Sequence, residues 1–199
     1  MKRFFSSVFL GLLFCLLFEG CDKKGEGVNE LRPLNSFQMY VNNKLWTPSV
    51  IDNDSCYSTF QCNMSGANGI PFYNIDVYND PEMRTDTESA QIFKIQVMNV
   101  SHTGIHEISG SYIDQFTSYA LFINNENGIK TVYQNSTTNS VLKIEEFFTI
   151  DSYSELQGIR GSFEGVLYNI SDSNDSIIIY NCHFTFKKIN RYNYCQCAE

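Results

Sequence analysis

Cysteine is the residue type that carries most of the readable chemistry in this sequence. Cys21 stands directly behind Gly20, at the end of a segment that opens with Lys2 and Arg3 and is apolar from Phe4 to Phe18 apart from Ser6, Ser7 and Gly11. A small residue before a cysteine in that setting is what a lipoprotein signal peptidase requires, so Cys21 is expected to become an acylated, palmitate-bearing N-terminus. Cys56, Cys62, Cys182, Cys195 and Cys197 lie further along the chain. Thiols exported to an oxidising compartment pair into disulfides. Cys182 sits in the apolar register of its strand and reads as a buried free thiol. Cys56, Cys62, Cys195 and Cys197 are then the candidate disulfide residues, with their connectivity open. A link from the Cys56/Cys62 loop to the C-terminal pair would staple the tail. The same four do not have zinc-ribbon spacing, being Cys-x5-Cys with Cys-x-Cys.

His102 and His106 are four apart, the spacing of a zinc-binding pair on a helix. Gly104 and the surrounding alternation oppose a helix, and no Glu follows His102 as a base. The two read as surface or strand-end histidines and His183 as an exposed one, so no metal or cofactor is expected. Asp52-Asn53-Asp54 and Asp172-Ser173-Asn174-Asp175 lack the Gly and terminal Glu of a calcium loop and read as Asx turns. Glu107, Asp114, Glu146 and Glu164 are the carboxylates a hydrolase would draw on, if the fold held two of them about 5–10 Å apart. Glu145 and Glu146 are expected on opposite faces of their strand. No Gly-x-Ser-x-Gly elbow or phosphate-cradling glycine loop occurs, so no catalytic residue is assigned.

These groups must be positioned by the segments around them. Residues 1–20 have the form of a signal peptide, with an apolar segment of about 15 residues, short for a membrane span. Residues 21–35 form the lipidated cysteine and a charged, Gly-containing tether able to extend roughly 45 Å. The remaining length is enough for one domain with a real core, assigned to residues 36–190, and a Cys-containing tail, 191–199. Net charge is −8, or −9 once Lys2, Arg3 and Glu19 are removed. An acidic chain without a Lys/Arg cluster suits neither nucleic acid nor electrostatic docking on anionic lipid. The expected membrane link is therefore the lipid on Cys21.

Aromatics make up 15% of the residues, and scarce Ala beside abundant Tyr, Phe, Ile, Val and Thr favours strands over helices. Phe37, Met39 and Val41 alternate with polar neighbours, and Asn42-Asn43 should turn the chain into Lys44-Leu45-Trp46. Tyr73, Ile75 and Val77, then Phe93, Ile95 and Val97, then Tyr119, Leu121 and Ile123 repeat the pattern. Asn127-Gly128 is a strong turn signal before Thr131-Val132-Tyr133. Leu142, Ile144, Glu146 and Phe148 are expected to share a face. Ile159 to Leu167 alternates, and Gly161 and Gly165 leave room for the Phe163 ring or for close backbone approach. Ile178, Tyr180, Cys182, Phe184 and Phe186 form a last strand expected to face the core. About nine short strands without a convincing helix predict an all-β fold, an antiparallel β-sandwich with an open β-barrel as the alternative.

The step from Val41 to Trp46, Ile108-Ser-Gly-Ser-Tyr112, Leu142-Lys-Ile-Glu-Glu146, Ile159-Arg-Gly-Ser-Phe-Glu-Gly165 and Phe184-Thr-Phe186 together resemble small Bacteroidetes lipoproteins classed as domains of unknown function. The resemblance covers roughly residues 37–189, and it implies a β-sandwich in the cell envelope with no assigned activity. Asp175-Ser176-Ile177 also resembles a Bacteroidetes O-glycosylation acceptor. The function expected is that of a non-enzymatic, monomeric binding or structural domain tethered by lipid at the outer membrane. Its partner would be a glycan or an envelope protein, met through aromatic side chains such as Trp46, Tyr57 or Tyr153 where these are not core. Trp46 is read first as core. The alternatives are a hydrolase using Glu107, Asp114, Glu146 or Glu164 and a structural or immunity-type envelope protein.

Overall fold

The computed structural model describes residues 34–50, 56–67, 69–83, 89–114, 116–149, 157–191 and 194–197, all within the unit Pro33–Glu199. Twelve strands run in chain order: β1 (Asn35–Val41), β2 (Lys44–Trp46), β3 (Phe60–Ala67), β4 (Ile70–Tyr78), β5 (Gln91–Met98), β6 (Gly104–Glu107), β7 (Tyr119–Glu126), β8 (Ile129–Thr149), β9 (Gln157–Asn169), β10 (Asp172–Phe186), β11 (Lys188–Arg191) and β12 (Tyr194–Cys197). They join in one sheet of order β12-β11-β3-β4-β5-β7-β8-β9-β10-β1-β2, with β6 added to β8. Every pairing is antiparallel except that of β11 with β3. β12 and β2 lie at opposite ends of this order, so the sheet is open and not closed into a barrel. The expected strand count of about nine is too low. β11 and β12 are short and carry few strong apolar residues, and β12 pairs with β11 within the stretch expected as a tail.

Local chemistry explains the turns. Asn42 and Asn43 take φ values of 46° and 66°, and Asn127 and Gly128 take 54° and 79°. These are the left-handed values that a two-residue hairpin needs and that Asn and Gly adopt at least cost. The Asn35 side chain ties the start of β1 to the chain after β10, accepting from Lys188 N at 2.9 Å and donating to Lys188 O at 3.0 Å.

The inner face is one aromatic core. Phe37 meets Phe93 at 5.9 Å between ring centroids, Phe93 meets Phe163 at 5.7 Å, and Trp46 meets Phe122 at 5.9 Å. These contacts join β1 and β2 to β5 and β7, which stand several strands away in the hydrogen-bonded order, so the sheet coils its inner face onto itself. Trp46 is buried and donates from Nε1 to Gln91 Oε1 at 2.8 Å, which is the core placement read first from the sequence. Its polar atom is thus satisfied inside an apolar setting. Burying a large aromatic side chain is worth about 1.5–3 kcal/mol, so this cluster dominates what holds the two ends of the order together.

Two bulges decide which side chains face out. In β10 the register with β9 shifts between Ile179 and Cys182, and Asn181 takes a φ of 47°. Cys182, Phe184 and Phe186 are buried as expected, but on the other side of the bulge Ile177 and Ile179 are the buried pair. Ile178 is 53% exposed and Tyr180 is half-buried, against the expectation that both face the core. An extra residue in a strand inverts the inside–outside alternation beyond it. The second bulge lies between Ile144 and Glu146 in β8. It places Glu145 and Glu146 on the same side, correcting the expectation of opposite faces.

Candidate functional site

The polar residues of β1, β10, β9 and the β8 bulge line up across the sheet. Ser36 pairs with Thr185 and Gln38 with His183, Thr185 pairs with Arg160, and Arg160 pairs with Glu146. Ser36, Gln38, Glu145, Arg160, His183 and Thr185 line a groove of about 350 Å³, completed by Phe37, Gly161 and Phe184. Gly161 is structurally required here. A Cβ at this position would meet the Lys143 carbonyl oxygen and come within 2.7 Å of the Phe184 ring. The ring it accommodates is therefore Phe184, its cross-strand partner, and not Phe163. The close backbone approach expected of Gly161 is present.

Charges at the groove form a closed network. Arg160 Nη2 lies 2.8 Å from Glu146 Oε2 and Arg160 Nε lies 3.8 Å from Glu145 Oε2, while Lys143 Nζ lies 3.7 Å from Glu145 Oε1. Such exposed pairs are worth about 0–1 kcal/mol each, so their main effect is to neutralise one another. The uncharged side chains behave differently. Ser36, Gln38, His183 and Thr185 make no side-chain hydrogen bond or ion pair among the described residues.

One row along the same two strands, Tyr40 and Tyr180 pair in register and stack at 5.1 Å with 19° between their planes. Exposed Leu45 of β2 and Ile178 of β10 flank them. The inward-reading pattern assigned to Ile178 and Tyr180 hides this feature in the sequence. The visible signal is the run Ser36, Gln38, Tyr40, the polar alternates of β1. What alternation alone does not supply is the partner strand.

The other candidate groups are dispersed. Glu107 pairs with Val141 and Val141 with Glu164, so these two exposed carboxylates flank Val141, two strand spacings or about 10 Å apart. Asp114 lies in the loop before β7, its Oδ1 accepting from Phe116 N at 3.4 Å. His106 is buried, and its Nε2 donates to the His102 carbonyl at 2.8 Å, with the rings 4.9 Å apart. Among the described residues no three His, Cys, Asp or Glu side chains gather as metal ligands. Asp172 Oδ1 accepts from Asn174 N at 3.0 Å, the Asx turn expected there. Asp175 Oδ2 accepts from Tyr133 Oη at 3.0 Å and Asn169 Nδ2 at 2.9 Å, beside exposed Ser176. Tyr57 is exposed. Asp52-Asn53-Asp54 and Tyr153 lie outside the described residues.

The cysteines separate by environment. Cys56 is disulfide-bonded, and its sulfur lies 3.2 Å from the Ile189 carbonyl oxygen of β11. Cys62 is a buried free thiol, which corrects its place among the disulfide candidates. It faces the core from β3 opposite Ile75, and that inward direction removes it from the tail. Cys182 is the buried free thiol read from the sequence. Burial pushes the Cys62 thiol well above the usual range, with the Asp76 carboxylate adding to it. Burial also pushes the Cys182 thiol up, opposed by a hydrogen bond from the Phe163 backbone. Both are therefore poor nucleophiles. The side chains of Cys195 and Cys197, and the whole of Cys21, lie outside the described residues.

No curated protein and no solved structure matches the chain. One family does, over residues 34–187, and that span holds β1 to β10 with both the groove and the tyrosine stack. The chain belongs to the family described as Domain of unknown function (DUF5025).

Proposed function

We propose that the chain is a lipid-anchored, non-enzymatic binding domain of the bacterial cell envelope, in which one face of a coiled, sandwich-like sheet engages a glycan or an envelope protein. Acylated Cys21 would hold it at the outer membrane, the segment to about Asn35 would let it stand off, and the domain would act as a monomer without a cofactor. The observation that carries this reading is the preformed groove, where unpaired polar side chains project from rigid, paired strands. Binding groups fixed on such strands are pre-organised, which lowers the entropy cost of association. The acidic balance of the sequence and its lack of a Lys/Arg cluster turn the reading away from nucleic acid. The test is to screen the full-length lipoprotein in detergent micelles against glycan and envelope-protein arrays. A saturable partner supports the reading, and silence on both arrays overturns it.

A second reading, a hydrolase, draws on Glu107 and Glu164, whose spacing is near the wide end for an inverting carboxylate pair. Cleavage of a polysaccharide that disappears in both Glu107→Gln and Glu164→Gln would establish it in place of the first.

A further inference from the structure

We propose that the groove and the Tyr40–Tyr180 stack form one continuous site for a neutral oligosaccharide lying along β1 and β10. This rests on the binding-domain reading and names its ligand class. The two features share the outward positions of the same two strands, from the Ser36–Thr185 pair through Gln38–His183 to Tyr40–Tyr180. From Ser36 to Tyr40 the chain advances about 13 Å, a span for several linked sugar units.

The hydrogen-bonding groups left without protein partners select the ligand. Ser36, Gln38, His183 and Thr185 are the groove's free polar side chains, and none is a carboxylate, ammonium or guanidinium. Hydroxyl, amide and imidazole groups both donate and accept, which suits sugar hydroxyls, as these do the same. The cations at the groove are already engaged, Arg160 by Glu145 and Glu146 and Lys143 by Glu145. Glu164 adds a further negative charge between Val141 and the β10 side of the sheet. An acidic sugar would have to break these pairs to gain a counter-charge, and it would meet like charge nearby. A neutral sugar meets no such cost. At the other end, the ring stack with Ile178 and Leu45 offers apolar surface beside free hydroxyls, and amphipathic rings of this kind pack against the C–H faces of sugars.

The test uses the full-length lipoprotein in detergent micelles on an array of neutral, uronate-containing and sulfated oligosaccharides, followed by calorimetric titration with the best neutral binder. Neutral oligosaccharides are expected to bind, with affinity falling about tenfold or more in Tyr180→Ala and in the pair Gln38→Ala/His183→Ala. All three side chains lie on the outer face, so thermal unfolding should stay close to that of the parent; Gln38→Ala/His183→Ala, which removes no half-buried ring, keeps the test valid if Tyr180→Ala misfolds. Preference for uronate or sulfated probes, or binding that survives both variants, overturns this inference and leaves the binding-domain reading standing. Silence across every glycan overturns it too, and the broader reading then depends on the protein array alone.

Discussion

At the scale of single residues, the strongest constraints come from a missing side chain and from two buried thiols. Gly161 allows β8 and β9 to close over the Phe184 ring, and a Cβ there would stand 2.7 Å from that ring and against the Lys143 carbonyl. Backbone cannot yield as a flexible side chain does, so Gly161→Ala should destabilise the domain by about 1–3 kcal/mol, the usual cost of overpacking. Urea unfolding would measure this, and a change below about 0.5 kcal/mol would show that the strands part easily. The thiols make a statement about pH. Cys62 and Cys182 are raised in the fold chiefly by burial, from an ordinary value of 9.0. Once pH exceeds that value the unfolded chain releases these protons while the folded chain keeps them. The unfolded state then binds fewer protons, so stability present below about pH 9 falls as pH rises, by at most about 1.4 kcal/mol per pH unit for each thiol. Tyr119 and Tyr133 are raised as well, first by burial, and act with the same sign. The cysteine share is isolated by Cys62→Ala/Cys182→Ala, which should be less stable overall yet lose stability less steeply between about pH 9 and 10.5.

At the scale of elements, the short edge strand β2 depends on a contact far from its own hydrogen bonds. Its three residues pair with β1, while Trp46 reaches Phe122 and Gln91 on strands well removed in the sheet order. Gln91→Ala leaves the buried indole N–H without its acceptor, which costs about 1–3 kcal/mol. Trp46 is the single tryptophan of the chain, so the variant should show both a lower unfolding midpoint and altered indole emission. Unchanged emission would mean that the indole finds another acceptor. The hairpin that delivers Trp46 is legible in the sequence because Asn42-Asn43 has one physical use between two alternating runs. Strand β5 is legible for a similar reason, since Phe93, Ile95 and Val97 are strong apolar residues. β3 is harder to read, because its inward residues Phe60, Cys62 and Met64 give way to the small residues Ser65-Gly66-Ala67 before the strand ends. The outward face of β10 escapes a reading by alternation for a different reason. A bulge at Asn181 reverses the pattern, and no residue there except an Asn hints at it. Of the candidate site only Tyr180 and Ile178 lie on that reversed segment and Glu145 on the other bulge, while His183 and Thr185 keep the outward positions that alternation gives them. The residues are therefore visible one by one in the sequence and their convergence is not.

At the scale of the whole molecule, the fold and the anchor are separable by experiment. The inner face of the sheet binds its two ends through aromatic contacts drawn from residues 37–186, and none of these involves the first 33 residues. If Cys21 carries lipid, as the Gly20-Cys21 junction leads us to propose, its acyl chains contribute about 0.8 kcal/mol for each buried methylene, and several chains together hold a protein on a membrane nearly permanently. Cys21→Ala should then abolish incorporation of a radiolabelled fatty acid, and once residues 1–20 are cut away the protein should leave the membrane fraction. Thermal unfolding of the domain should stay unchanged, because the aromatic contacts that close its core remain in place. The same variant should retain glycan affinity in solution while losing retention at the cell envelope. That separation distinguishes an anchored binding domain from one whose membrane association runs through its folded surface. Persistence in the membrane fraction of a Cys21→Ala protein freed of residues 1–20, with no fatty acid incorporated, would place the attachment on the folded domain itself. The exposed apolar side chains Ile105, Ile113, Phe116 and Ile129 would then be the first to replace.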